Sequence, residues 1–231
     1  MTVESLRDRI ATLNADYARA IDEFWERSHH RLVRVTVPTG YDGRAPLPTL
    51  VALHGYRSEP GDFFDDPMWQ ALADARSIAI VSVSGTRAHA QRKFEWTCDV
   101  ATDLRHVRDA LSSVRSELTI DRNHLILIGF SQGGDVGLRI LDTAPMEFRG
   151  LVSMSPGALG GAPAFESIDG DLHGHTVVVT VGAGEHPINR EHARRQARMA
   201  DAAGARVRHR EVAGQNIHTF PDDLETELPT W

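Results

Sequence analysis

Apolar positions near the start of the chain follow a helical period. They recur at three- and four-residue steps from Ser5 to about Arg27, and Ser5 with Asp8 forms a capping pair typical of a helix start. We expect an amphipathic helix that docks on the body of the protein, while a subunit contact or a cover over the functional site would use the same stripe. The stripe consists of Leu6, Ile10, Leu13, Tyr17, Ile21 and Trp25.

Beyond this helix, the pattern changes to strands. Residues 32–37 alternate between apolar and polar and end at Pro38, and the Gly- and Pro-rich stretch that follows predicts a turn. Residues 49–53 are continuously apolar, as expected for a strand covered on both faces. Further strands are predicted at 78–83, 125–130, 150–154, 176–181 and 207–212, and helices at 99–118, 132–141, 189–203 and 221–228.

This succession of elements predicts an α/β fold. We expect a mostly parallel central sheet with helices on both faces and an added N-terminal helix. Such sheets carry their active groups in loops at the carboxyl ends of the strands. No internal repeat, low-complexity tract or Ser/Gly linker is present. Residues 1–231 are therefore expected to form a single domain, with residues 1–30 as an N-terminal helical extension.

Composition narrows the class of protein. The 231 residues are 41% hydrophobic and 25% charged, as in an ordinary globular protein, and the net charge of −7 argues against nucleic acid or an anionic membrane as partner. The N-terminal segment has no apolar stretch suited to a signal peptide or membrane span, and one cysteine allows no intramolecular disulfide. We expect a cytoplasmic protein.

Cofactor and metal motifs are absent from the sequence. It contains neither the P-loop pattern nor the dinucleotide-binding glycine pattern. The histidine pairs at 29–30 and at 173 and 175 have no carboxylate or cysteine at ligand spacing beside them. We expect no cofactor and no metal.

A candidate nucleophile lies between a predicted strand and a predicted helix. The strand at 125–130 leads into Gly129-Phe130-Ser131-Gln132-Gly133, a G-x-S-x-G spacing in the strand–turn–helix context that this motif requires. A serine on so tight a turn takes a strained backbone conformation, and glycines two residues before and after it leave space for that turn. The Ser131 hydroxyl would then stand clear of the sheet at the positive end of the helix.

A nucleophilic serine needs a base, and the base needs an acid that orients it. His218 lies in a loop just past the last predicted strand, and Glu185 lies at the turn after the strand before it. We expect Glu185 to hydrogen-bond to His218 and to hold its imidazole in the working tautomer. Asp169 and Asp171 are poorer candidates because they precede that strand.

Two backbone N–H groups are candidates for an oxyanion hole. The strand at 49–53 ends in His54-Gly55-Tyr56, so we expect the Tyr56 N–H to lie near the nucleophile, beside the Gln132 N–H at the start of the helix. The Arg57 side chain and Trp96, in a loop after the third strand, are expected to line the substrate site. His54 precedes Ser131 in the chain and is expected to be structural.

Together these residues resemble the α/β-hydrolase superfamily, and especially its small serine esterases of the phospholipase/carboxylesterase and putative-esterase groups. The similarity runs from about Val35 to Pro221 and is strongest in the segments 119–134 and 148–157. It implies the α/β-hydrolase fold, a triad of Ser131, Glu185 and His218, and an oxyanion hole at Tyr56 and Gln132. The acid of those esterases is usually aspartate, whereas this chain has a glutamate.

The expected activity is that of a serine esterase. Ser131 would form an acyl-enzyme with a small-molecule carboxylic ester, and water would release the acid. A thioesterase or a peptidase or amidase would use the same triad, and a non-catalytic relative with a binding role is the alternative outside enzymes. A homodimer is a further possibility, because the N-terminal stripe would suit a subunit contact.

Overall fold

The computed structural model describes residues 3–23, 33–90, 93–157, 167–224 and 228, except for the side chains of residues 17–23. The α-helices are α1 (Val3–Glu23), α2 (Pro67–Arg76), α3 (Val100–Val114), α4 (Gln132–Thr143) and α5 (Pro187–Ala202). The strands are β1 (Val33–Thr36), β2 (Leu47–Leu53), β3 (Ala79–Val83), β4 (Arg87–Ala90), β5 (Lys93–Glu95), β6 (Ile120–Phe130), β7 (Gly150–Met154), β8 (Thr176–Gly182) and β9 (Arg206–Val212).

The described strands form a seven-stranded sheet in the order β1-β3-β2-β6-β7-β8-β9. Strand β1 pairs antiparallel with β3, and the remaining pairs in this sheet are parallel. Strands β4 and β5 form a separate antiparallel pair. The prediction of a mostly parallel central sheet is confirmed, and the carboxyl ends of β2, β6, β7 and β8 lie side by side.

Continuous apolar runs in the central strands are explained by burial on both faces of the sheet. In β2, Val51 and Leu53 belong to one core cluster, whereas Leu50 and Ala52 belong to the other. Helices α1, α3, α4 and α5 contribute to the first cluster, and α2 contributes to the second. The expectation of helices on both faces is therefore confirmed.

Helix α1 covers the sheet at its β1 edge. Leu6 and Ile10 are buried, and the Asn14 carboxamide hydrogen-bonds both backbone groups of Val35, accepting from its N–H at 3.3 Å and donating to its carbonyl at 3.4 Å. An edge strand has unpaired backbone groups, and Asn14 satisfies some of them. The helix docks on the body as expected, while the stripe residues Tyr17, Ile21 and Trp25 lie outside the described side chains.

The sequence pattern missed several elements. Helix α2 begins at Pro67 after Asp66, whose carboxylate accepts the Met68 N–H at 2.9 Å as an N-cap. Its apolar face is only three residues, too few to give a clear period. The 3₁₀ turn Pro60–Phe63 and the β4–β5 pair were also not predicted.

The expected helix at 221–228 falls mostly outside the described residues. No helix in the described ranges is long and apolar enough to cross a bilayer.

Candidate active site

Ser131 lies at the junction of β6 and α4 in a strained backbone conformation. Its φ is 54° and its ψ is −119°, backbone angles that residues other than glycine rarely adopt. A Cβ on Gly129 would lie 2.3 Å from the Gly133 carbonyl oxygen, and one on Gly133 would lie 1.9 Å from the Leu53 carbonyl oxygen. Both glycines are therefore required for the turn to form against β2.

The Gln132 side chain is buried and connects α4 to the loop after β5. Its Oε1 accepts the Trp96 backbone N–H at 3.1 Å, and its Nε2 donates to the Trp96 carbonyl at 3.4 Å. Its backbone N–H belongs to the first turn of α4, where amide groups have no acceptor within the helix. This end of the helix, with its partial positive charge, adjoins Ser131.

The structure brings the predicted acid and base together. His218 Nδ1 lies 2.8 Å from Glu185 Oε2, and the Glu185 side chain is 1% exposed whereas that of His218 is 36% exposed. The loops that carry them pack so closely that a Cβ on Gly184 would lie only 2.0 Å from Asn216 Oδ1. The glycines around Glu185 thus allow the His218 loop to approach.

The Glu185 carboxylate accepts four hydrogen bonds, one for each of its lone-pair positions. Oε1 accepts from Ser155 Oγ at 2.5 Å and from the Gly182 N–H at 3.0 Å. Oε2 accepts from His218 and from Asn189 Nδ2 at 3.2 Å. Burial raises the pKa of Glu185, but these hydrogen bonds outweigh it and hold the pKa below its ordinary value. Glu185 is therefore a carboxylate at neutral pH.

Ser131, Glu185 and His218 all line one cavity of about 380 Å³. A Cβ placed on Gly157 would lie 3.0 Å from Ser131 Oγ and 3.8 Å from His218 Cε1, so both groups face the space in front of this glycine. The Phe130 ring packs on the His218 imidazole with centroids 4.7 Å apart. The lining residues are Tyr56, Ser131, Gly157, Glu185, His186, Asn189, Asn216 and His218.

The loop after β2 approaches Ser131 from the other side. A Cβ on Gly55 would lie 3.2 Å from Ser131 Cβ, and Tyr56 lines the cavity. Arg57 is exposed with a φ of 57°, and its guanidinium carbon lies 5.1 Å from the centre of the Tyr56 ring. Tyr56 therefore lies where an oxyanion loop is expected, and Arg57 flanks it.

Trp96 has a different place from the one expected. It is 2% exposed, and its indole N–H donates to the His54 carbonyl at 3.0 Å. The side chain braces the loop after β2 from within the core, which corrects the expectation that it lines the substrate site. A tryptophan in a loop at this edge of the sheet has the same sequence signature whether it points into the cleft or into the core.

His54 is structural, as expected. It is fully buried, its Nε2 accepts the Gly85 N–H at 2.7 Å, and its Nδ1 lies 2.7 Å from the Gly55 carbonyl. Because Nε2 is an acceptor, the proton is assigned to Nδ1, which donates to Gly55. Burial lowers the pKa of His54 from 6.5 to about 4, so the ring is neutral at physiological pH.

We expect His54 to make stability depend on pH in mildly acidic solution. Below pH 6.5 the unfolded chain binds a proton at His54 that the folded chain does not bind until about pH 4, so stability falls as the pH drops through this window. The contribution is about 2 kcal/mol between pH 7.5 and 4.5. Urea unfolding of wild type and His54→Gln at both pH values measures it. Equal losses in the two proteins would contradict the assignment.

Two residues of the site were not found from the sequence. Ser155 follows β7 with a φ of 43°, and it donates to Glu185 from a position that is 1% exposed. A polar residue directly after a buried strand was the available signal. Asn189 stands four residues after Glu185, in the first turn of α5, and a carboxamide so near the predicted acid in the sequence was its signal.

Comparison with solved structures assigns the fold. A carboxylesterase of Bacillus cereus superposes with a TM-score of 0.60 at 18% identity, covering 89% of this chain and 94% of that one. A ferulic acid esterase of Anaeromyces mucronatus superposes with a TM-score of 0.61 at 15% identity, covering 80% of this chain and 77% of that one. The chain has the α/β-hydrolase fold, and it resembles esterases of that class.

Sequence comparison adds one relative. A bifunctional acetylxylan esterase/xylanase of Neocallimastix patriciarum is 28% identical over 123 residues, which are 53% of this chain and 16% of that protein. The chain therefore matches only a small part of that relative's length. No family model matches the chain.

Proposed function

We propose that this protein is a serine hydrolase that cleaves a carboxylic ester through an acyl-enzyme on Ser131. His218 takes the hydroxyl proton as Ser131 Oγ attacks the ester carbonyl, and it then gives that proton to the departing alcohol. Water, deprotonated by His218, attacks the acyl-enzyme and releases the acid together with the free serine. Glu185 keeps the proton of the resting imidazole on Nδ1 and stabilises the imidazolium that forms.

The hydrogen bond between Glu185 and His218 is the main support for this proposal. A buried carboxylate at 2.8 Å from an imidazole that faces the same cavity as a strained serine is the arrangement that acyl transfer needs. An ester substrate is favoured over other acyl substrates, because esterases are found among the structural relatives and the sequence relative is an acetylxylan esterase/xylanase.

The oxyanion hole in this proposal consists of the Tyr56 and Gln132 backbone N–H groups. Gln132 begins a helix directly after Ser131, and Tyr56 follows Gly55, on which a Cβ would lie 3.2 Å from Ser131 Cβ. Both groups are fixed before reaction, because the Gln132 side chain is anchored to Trp96, which itself holds His54. Donors that need no reorganisation lower the energy of the developing oxyanion most effectively.

The substrate we propose is a small-molecule ester with a short acyl group. The cavity of about 380 Å³ lies near the lower end of the range for small-molecule sites, and its wall includes the polar side chains of His186, Asn189 and Asn216. A single domain, a cytoplasmic location and a homodimer stay predictions.

A fluorophosphonate probe with intact-mass detection tests the proposed function. We expect one adduct on wild type and none on Ser131→Ala, since the probe reacts with an activated serine. A panel of p-nitrophenyl esters of increasing chain length, with thioester and anilide counterparts, then ranks the leaving groups and acyl chains. A folded wild type with no adduct would overturn the proposal and favour a binding role. An adduct that survives Ser131→Ala would overturn it by showing that the reactive residue is not Ser131.

A further inference from the structure

Asn189 contacts both partners of the acid–base pair. Its Nδ2 lies 3.2 Å from Glu185 Oε2 and 3.5 Å from His218 Nδ1, and the residue is 5% exposed. A carboxylate only accepts hydrogen bonds, so the amide nitrogen rather than the amide oxygen must face it. The orientation of the Asn189 side chain is thereby fixed.

We propose that Asn189 is a positioning residue for His218, acting through Glu185; this inference rests on the proposed function. Oε2 has two lone-pair positions, and the Asn189 amide takes one of them and leaves the other for the His218 ring. With Ser155 and Gly182 on Oε1, the carboxylate cannot rotate without breaking hydrogen bonds. His218 Nδ1 therefore meets an acceptor in one fixed place.

The start of α5 places the amide under the carboxylate. Pro187 is the first helical residue, and the Asn189 backbone N–H donates to the His186 carbonyl at 2.9 Å. Asn189 therefore lies four residues after Glu185, in the first turn of α5, and its short side chain reaches Glu185 Oε2 directly. A glutamate in place of the usual aspartate reaches further from its backbone, and the amide at position 189 limits where that longer side chain settles.

The Asn189 carboxamide has its described polar contacts at the Nδ2 end only. Its Oδ1 is buried and has no hydrogen-bond partner among the described residues. A buried acceptor without a partner lowers stability, so an apolar side chain of similar volume would pack at lower cost. The bond to Glu185 explains why a carboxamide stands here.

The test compares three variants with wild type. Asn189→Leu removes the donor at similar volume, and Asn189→Asp adds a negative charge beside Glu185. Gln196→Leu is the matched control, because Gln196 is a buried carboxamide on the same helix, it also has an unpartnered amide oxygen, and it hydrogen-bonds Gly134 and Asp135 instead. Each variant is measured for kcat, KM, melting temperature and the pH profile of kcat/KM on p-nitrophenyl acetate.

We expect Asn189→Leu to lose about tenfold in kcat with little change in KM, the size of one hydrogen bond to a charged group. The acid limb of its kcat/KM profile should move to higher pH by about half a unit, because Glu185 then holds protons more strongly. Asn189→Asp should move that limb further. Gln196→Leu should leave the pH profile unchanged, because the hydrogen bonds of Gln196 go to Gly134 and Asp135 rather than to Glu185 or His218.

A second measurement does not depend on turnover. In a Ser131→Ala background, NMR detects the downfield Nδ1 proton of His218, and we expect this resonance in the otherwise wild-type protein and its shift or broadening with Asn189→Leu. An unchanged resonance and pH profile in both Asn189 variants would overturn the positioning role. The absence of any Ser131 adduct on wild type would instead overturn the proposed function, while the NMR result would still report the contact.

Discussion

Glu185→Gln should lower kcat by about 10³- to 10⁴-fold, the loss expected when the acid of a triad becomes neutral. The amide has one accepting oxygen and one donating NH₂, whereas the carboxylate meets donors on both of its oxygens. If the NH₂ faces His218, it favours the tautomer whose proton is on Nε2, which cannot take the serine proton. If the oxygen faces His218, the tautomer is kept but the negative charge is lost.

Two companion variants separate charge from geometry. Glu185→Asp keeps the charge and shortens the side chain by one methylene, so we expect a loss that is smaller than that of Glu185→Gln. Glu191→Gln neutralises an exposed carboxylate that pairs with Arg198 on the same helix, and its kcat should match wild type. Steady-state kinetics on p-nitrophenyl acetate measures all three. A Glu185→Gln enzyme with more than a tenth of the wild-type kcat would show that Glu185 is not the orienting acid.

The fold was predictable where burial imposes a simple pattern. Strands β2, β3, β7 and β8 are mostly apolar and buried on both faces, and their alternation with helical segments left few topologies open. Elements outside the central sheet were missed because their signals are local. Helix α2 depends on the Asp66 cap and three buried side chains, and the β4–β5 pair has a mostly exposed surface.

Chain order and loop position were enough to predict the main residues of the candidate site. A serine between two glycines, an acid after β8 and a histidine after β9 converge because parallel strands end at the same edge of the sheet. Trp96 could not be placed, because its direction depends on which carbonyl its indole meets, here that of His54. Ser155 depends in the same way on side-chain contacts between separate loops, which no spacing reveals.

Gly157→Ala should lower kcat/KM by about 100-fold, comparable to the cost of misplacing a substrate by about an ångström. The new Cβ would lie 3.0 Å from Ser131 Oγ, in the space that an acyl group bonded to that oxygen needs. A tetrahedral phosphorus bound there needs the same space, so the rate of fluorophosphonate labelling should fall in parallel. The backbone φ of Gly157 lies outside the left-handed region, and alanine therefore adds no backbone strain.

Stability should change little in the same variant, which separates a blocked site from a damaged fold. We expect a melting temperature within a few degrees of wild type, corresponding to about 1 kcal/mol for a chain of this size. Gly40→Ala is the matched control, because a Cβ there meets nothing within 4 Å. Gly157→Val should react more slowly still. If Gly157→Ala labels at the wild-type rate, the acyl group does not pass in front of this glycine, and the substrate must approach Ser131 from the Tyr56 side of the cavity.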